Sequence, residues 1–256
     1  MSVLELFRLD GKVAIVTGAS SGLGAGFAVA VALAAAGADV VLGARRTDKL
    51  AAVAAAVEET GRRAIAVTTD VTNPDECTAL AQAAIDTFGQ LDVLVNNAGL
   101  GTAVPALRET PEQFRGVVDV NLLGTYWMAQ AAARVMLPGS SIVNISSVLG
   151  LIKSPIPQAA YAATKAGVIG LTRDLSAQWA GRKGIRVNAL APGFFASEMT
   201  DEMSLEVVAG FLQSHGSIQR MGEQRELDAA LLFLASPASS YITGVTLPVD
   251  GGMSGH

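Results

Sequence analysis

Cysteine, histidine and charge are all scarce in this chain. The one cysteine, Cys77, has no partner for an internal disulfide and no neighbour for a CxxC metal or redox motif. The two histidines, His215 and His256, share no ligand spacing, so no metal site and no histidine-dependent triad is expected. His215 reads as a solvated loop residue. Charged residues make up 16% of the chain and leave a net charge of −5, which argues against a nucleic-acid partner or an anionic membrane surface. Val13 to Ala38 is uncharged, but its middle, "TGASSGLGAG", is a polar turn that would leave backbone groups unpaired in lipid. The opening "MSVLELFRLDGK" has no basic stretch followed by an apolar one, and a cytoplasmic location is expected.

What is present is apolar bulk in alternation. Half of the 256 residues are hydrophobic, and a chain of this size buries about 70–75% of its extended surface in one ordinary core. Short apolar runs stand at 13–17, 39–44, 63–68, 91–95, 141–146, 185–190 and 245–250, most of them continuous rather than alternating, as in strands covered on both faces. Ala-rich, helix-period stretches separate them and often stop at glycine. Strand alternating with helix predicts an α/β fold, a doubly wound parallel sheet of about seven strands flanked by helices. No linker divides the chain, so residues 1–256 read as a single domain. The polar segment near 197–221 breaks the rhythm after "APGFFA" and reads as a lid over the carboxyl edge of the sheet.

Two motifs carry chemistry. "TGASSGLG" (17–24) follows the first strand and opens the first long helix. Glycines there let the backbone approach a pyrophosphate, and the helix start offers free N–H groups. Its spacing is TGxxxGxG, slightly longer than GxGxxG. "YAATK" (161–165) places a phenol and an ammonium at i and i+4, on one face of an Ala-rich helix. Alone, such a pair is more often a core tyrosine beside a snorkelling lysine.

The chain resembles the short-chain dehydrogenase/reductase family over essentially its whole length. The resemblance rests on an ordered set: "TGASSGLG", "DV" at 70–71, "NNAG" at 96–99, Asn121 in "VDVNLLG", "NISS" at 144–147, "YAATK", "NALAPGFF" at 188–195 and "DGG" at 250–252. It implies a Rossmann-type fold and hydride transfer between a nicotinamide and a carbonyl or secondary alcohol. It implies Tyr161 as acid/base, and Lys165 as the group that lowers the phenol's pKa and binds the nicotinamide ribose. Ser147 would hold the substrate oxygen, and Asn121 would position a proton-relaying water. Ser147 stands fourteen residues before Tyr161, one more than the family's usual separation, and the extra residue falls in a loop marked by Pro155 and Pro157. Ser147 rather than Ser146 matches the second serine of the motif.

A free phenol titrates near pH 10, and bringing it to about 7 takes roughly 4 kcal/mol. A neighbouring ammonium and a cationic ring are suitable sources. By the same resemblance the cofactor lies along Gly18, Ser20, Ser21, Gly22, Leu23 and Gly24, then Asp70 and Val71 at the adenine, and Asn97, Ala98 and Gly99. Pro192, Gly193, Phe195 and Ser197 meet the nicotinamide side. Where an acid would take the adenosine ribose of NAD, the second strand ends in Ala44 followed by Arg45 and Arg46. No carboxylate there repels a 2′-phosphate and a guanidinium can grip one, so NADP(H) is favoured over NAD(H).

The expected pocket walls are Val148, Leu149, Ile152, Pro155, Pro157, Phe194 and Phe195. They suit a hydrophobic ketone as the small-molecule substrate. A 3-oxoacyl-carrier-protein reductase ranks second, because Arg134, Arg182 and Lys183 make a thin patch for an acidic partner. A sugar or polyol dehydrogenase ranks third. A nucleotide-sensing regulator would not need Asn121, Ser147, Tyr161 and Lys165, and a methyltransferase would want an acid ending the second strand. Apolar helix surface around 121–136 and 167–179 predicts a homo-oligomer, and the resemblance implies pairing of these helices across a twofold axis, most simply in a tetramer.

Overall fold

The computed structural model describes residues 2–20, 25–196 and 205–255. Seven strands form one parallel sheet: β1 (Val13–Thr17), β2 (Asp39–Ala44), β3 (Ala64–Thr68), β4 (Val93–Asn96), β5 (Ser141–Ile145), β6 (Arg186–Pro192) and β7 (Thr246–Val249). Their order is β3-β2-β1-β4-β5-β6-β7. Each expected run holds a strand, with ends shifted by no more than two residues.

The alternation of side chains along β1 explains the two layers. Ala14 and Val16 face one core with α1 (Ala25–Ala35), α2 (Thr47–Glu58) and a late helix, Gln224–Ala235. Val13 and Ile15 face the other, with α3 (Pro74–Phe88), α5 (Gly124–Val135) and α6 (Ala159–Lys183). Both faces of β1 are fully covered, which is why its sequence is apolar without a break. Val13, Ile15 and Val16 each contribute about 1.5–3 kcal/mol of burial. Cys77 lies in the second core, where burial pushes its thiol up to about 11.

Buried amides lock the second layer to the sheet. Asn96, ending β4, donates to the Asn144 side chain at 2.9 Å and to the Thr125 carbonyl at 3.2 Å. Asn144 in turn donates to Thr172 Oγ1 of α6 at 3.0 Å. Two of the motif asparagines therefore serve to fix helices α5 and α6 against the strands they follow. Between α4 (Pro111–Val118) and α5 the chain makes a π turn, Asp119–Leu123, which holds Asn121. A third apolar cluster sits over the carboxyl edge. There α7 (Leu205–His215) packs Val208, Phe211 and Leu212 on Val148, Leu149, Tyr161, Phe194 and Met253. The late helix Gln224–Ala235 is α8. Of the segment expected to form a lid, 197–221, residues 197–204 lie outside the described residues.

Candidate active site

Strand β1 pairs with β2 on one side and β4 on the other, so the strand order reverses there. A crevice opens at the carboxyl ends of strands flanking such a reversal. A cavity of about 540 Å³ occupies it, lined by the residues that follow six of the strands, β1 to β6.

One end is polar. Arg45, Arg46 and Asp70 line it, with Ala44 beside them in the place an acid would take. Asp70 accepts from the Thr72 backbone N–H at 3.0 Å and from its hydroxyl at 2.8 Å. The Thr72 N–H is the main cause holding its carboxyl below the usual range, and the nearby Arg45 charge adds to it. Arg46 Nε donates to Ser20 Oγ at 3.2 Å, tying the second strand's end to the glycine-rich turn.

The middle is main chain. Gly18 has φ +67°, and a Cβ on it would stand 2.6 Å from the Ala98 Cα. Thr17 Oγ1 accepts from the N–H groups of Asn97 and Ala98, both at 3.1 Å. Asn97 Nδ2 donates back to the Thr17 and Gly18 carbonyls at 3.0 and 3.3 Å. The "TG" and "NNAG" motifs are thus two halves of one bolted floor, with Asn97 engaged in holding it.

The other end carries the tyrosine. Tyr161 and Lys165 are both buried and line the cavity together. Burial raises the phenol's pKa, opposed by a hydrogen bond with Ser147. Lys165 Nζ lies 5.6 Å from the Tyr161 ring centroid and donates to the Ile145 carbonyl at 2.8 Å. Desolvation lowers its pKa to about 8. Its other two protons have no partner among the described residues. The expected downward pull of Lys165 on the phenol is not what governs Tyr161 in the free protein; burial is.

The neighbouring serines divide. Ser146 Oγ donates to the Lys165 carbonyl at 2.8 Å, inside the α6 backbone. Ser147 Oγ accepts from Leu149 N–H at 3.1 Å, closing the 3₁₀ turn Val148–Gly150, and is the one that meets Tyr161. That turn presses so closely on α6 that a Cβ on Gly150 would come within 2.8 Å of the Lys165 carbonyl carbon.

Asn121 does not line the cavity. It stands one layer behind, where its side chain accepts from Leu100 N–H and donates to the Leu100 carbonyl, both at 2.8 Å. A Cβ on Gly99 would lie 3.4 Å from Asn121 Oδ1 and 3.5 Å from Lys165 Nζ, so the two side chains converge on that glycine. Val71, Ala98, Gly99, Pro192, Gly193 and Phe195 all line the cavity as expected. Ser21, Gly22, Leu23, Gly24 and Ser197 lie outside the described residues.

Of the expected substrate walls, Val148, Leu149, Phe194 and Phe195 are in place, while Ile152, Pro155 and Pro157 are not among the lining residues. Ile152 packs instead on the apolar cluster beneath α7. Thr69, Leu100, Gln158, Gln224 and Leu227 also line the cavity with no motif to announce them. Gln158 stands three residues before Tyr161, a helical spacing that could have drawn notice.

This geometry fits an extended dinucleotide. A guanidinium-bearing end, a glycine floor open to a pyrophosphate, and a buried ammonium with unused protons follow one another along the crevice. No group of three or more His, Cys, Asp or Glu residues suited to a metal occurs among the described residues. Nor is any helix among them long and apolar enough to cross a membrane.

Comparison with known proteins agrees. Residues 18–254 match a family model described as "Enoyl-(Acyl carrier protein) reductase". The chain is 43% identical over 249 residues to a 3-oxoacyl-[acyl-carrier-protein] reductase of Synechocystis, covering 96% of this chain and 98% of that one. It is 42% identical over 258 residues to a galactitol 2-dehydrogenase (L-tagatose-forming) of Cereibacter sphaeroides, covering 98% of each. Among solved structures it matches a 7α-hydroxysteroid dehydrogenase complexed with NADH and 7-oxo glycochenodeoxycholic acid. The TM-score there is 0.91, with 35% identity and 98% of each chain covered. The chain belongs to the short-chain dehydrogenase/reductase family and is an NAD(P)-dependent oxidoreductase.

Proposed function

We propose that this protein is an NADP(H)-dependent carbonyl reductase acting on hydrophobic ketones. The observation that carries this is the apolar end of the crevice. Leu100, Val148, Leu149 and Phe194 line the crevice with the Ser147–Tyr161 pair, and among the described residues the one charged side chain at that end is Lys165. When bound, the dinucleotide supplies the hydride.

The chain's own residues do the rest. Ser147 and Tyr161 hydrogen-bond the carbonyl oxygen, and Tyr161 gives it the phenolic proton as hydride reaches the carbon. Burial keeps the phenol protonated in the free protein, the form that donates in the reductive direction. Lys165 uses its remaining protons on the ribose hydroxyls. Asn121 fixes the 97–101 loop through Leu100 rather than touching the reacting atoms.

The preference for NADP(H) rests on Arg45 and Arg46, exposed at the crevice mouth beside Ala44, with no acid at that position. A 2′-phosphate placed there would gain a charge-assisted bond.

The Synechocystis relative favours a second reading, reduction of a 3-oxoacyl carrier-protein thioester. Its docking patch is weak. Arg134 is hydrogen-bonded to Gln130 and Lys183 to the Ala133 carbonyl, and both line a groove between α5 and α6. We assign that groove to self-association instead. It holds Tyr126, Leu171 and Trp179, partly buried on helices whose pairing about a twofold axis would cover them, and a homotetramer is the expected assembly. Light scattering returning the 26.2 kDa monomer would overturn the assembly.

NADPH oxidation with a panel of aliphatic and aromatic ketones and 3-oxoacyl carrier-protein thioesters, beside NADP+ reduction with polyols, tests the function. Faster turnover of the ketones is expected. Turnover confined to polyols or to the thioester would overturn the reading.

A further inference from the structure

The wall of the crevice from Ile145 to Tyr161 is apolar apart from two serines, the tyrosine and Gln158. Gln158 is the N-cap of α6, with φ −143° and ψ 51°, one turn ahead of Tyr161. Its Oε1 accepts from Ser154 Oγ at 3.4 Å, while Ser154 Oγ itself accepts the Ile156 N–H at 3.2 Å. That contact turns the amide's carbonyl end toward Ser154. It leaves the Nε2 protons without a partner among the described residues. Gln158 is half-buried and lines the crevice, so this donor is open to a ligand there.

We infer that Gln158 determines specificity. Its Nε2 donates to a second, uncharged oxygen acceptor that the substrate carries a few bonds from the carbonyl held by Ser147 and Tyr161. Three residues of helix rise span roughly 4.5 Å, the scale of two oxygens in one short oxygenated ketone. The amide carries no charge with which to compensate a carboxylate, so the acceptor is neutral, an ester carbonyl or an ether. Ser154 acts as a positioning residue by orienting the amide. This inference rests on the carbonyl-reductase reading above and sharpens its substrate.

The test compares kcat/KM for ethyl acetoacetate with that for methyl butyl ketone, in the wild type, Gln158→Leu and Gln158→Glu. Both variants remove the donor, and Gln158→Glu keeps the side chain's shape at the helix start, which leucine does not. The ratio of keto ester to plain ketone is expected to fall about tenfold in both, mostly through KM, with NADPH affinity retained. A ratio that stays within about twofold of the wild type in both variants overturns the role of Gln158 while the ketone activity stands. A wild type that reduces neither compound overturns the carbonyl-reductase reading, and this inference with it.

Discussion

Around Gly18 the crevice is walled by main chain, whereas around Leu149 it is walled by side chains. At the first place a Cβ would collide with Ala98 Cα at 2.6 Å, and the Thr17–Asn97 bonds hold both strands of the floor. At the second, Val148, Leu149 and Phe194 present apolar surfaces that other side chains could replace without moving the backbone. A wall of backbone accepts one ligand shape and resists substitution. A wall of side chains can be re-cut. Proteins near 40% identical to this chain bear names that specify a 3-oxoacyl-[acyl-carrier-protein] in one case and galactitol in another.

The largest effect is expected at the boundary of the two regions. Tyr161→Phe should lower kcat by about 10²–10⁴ while leaving the NADPH dissociation constant nearly unchanged, because only the proton donor is lost. Steady-state rates beside a fluorescence titration separate the two quantities. Turnover within about tenfold of the wild type would remove Tyr161 from the chemistry.

Next come the neighbouring serines. Ser147→Ala should cost about a hundredfold in kcat/KM, since it removes a hydrogen bond to the developing oxyanion. Ser146→Ala leaves the Lys165 carbonyl short of a donor and should lower stability by about 1 kcal/mol, with a much smaller loss of rate. The reverse ranking in rate assays would mean that the extra residue before Tyr161 has shifted the serine's register.

The comparison of walls is sharpened by a pair of substitutions. Gly18→Ala forces a side chain into a left-handed backbone at φ +67° and onto Ala98, and should weaken both NADPH binding and thermal stability, by about 1–3 kcal/mol for the latter. Leu149→Ala should alter KM across a ketone series while NADPH affinity holds. If both variants affect cofactor and ketone alike, the two regions are not independent.

The smallest effect is expected at the mouth. Arg45→Ala should raise KM for NADPH with little change for NADH, shifting the preference roughly ten- to a hundredfold. Arg46, already tied to Ser20, could take over part of the role and blunt the change. A wild type that prefers NADH, with a variant that keeps that preference, would end the phosphate-clamp reading.

The strands and α6 were legible because burial on both faces demands unbroken apolar runs, and because one long alanine-rich stretch has a single regular solution. Helical spacing makes it legible that Tyr161 and Lys165 share one face, but their reading as a catalytic pair comes from the family resemblance, since such a pair alone is more often core packing. The loop from Val148 to Gln158 has no period, so the sequence does not say which of Ile152, Pro155 and Pro157 face the crevice. The structure turns Ile152 under α7 and brings Gln158 forward instead. Asn121 was readable as a site residue, but its bond pattern with Leu100 depends on a π turn that no simple periodicity encodes.

Hydride delivery to a carbonyl carbon is the central claim, and isotope transfer tests it most directly. The protein would be incubated with methyl butyl ketone and NADPH carrying deuterium at both hydrogen positions of the nicotinamide C4, and the alcohol analysed by mass spectrometry. The account predicts one deuterium on the carbinol carbon for each NADPH consumed, with the hydroxyl proton drawn through Tyr161. NADPH consumption without deuterium in the alcohol, or no alcohol at all, would contradict it.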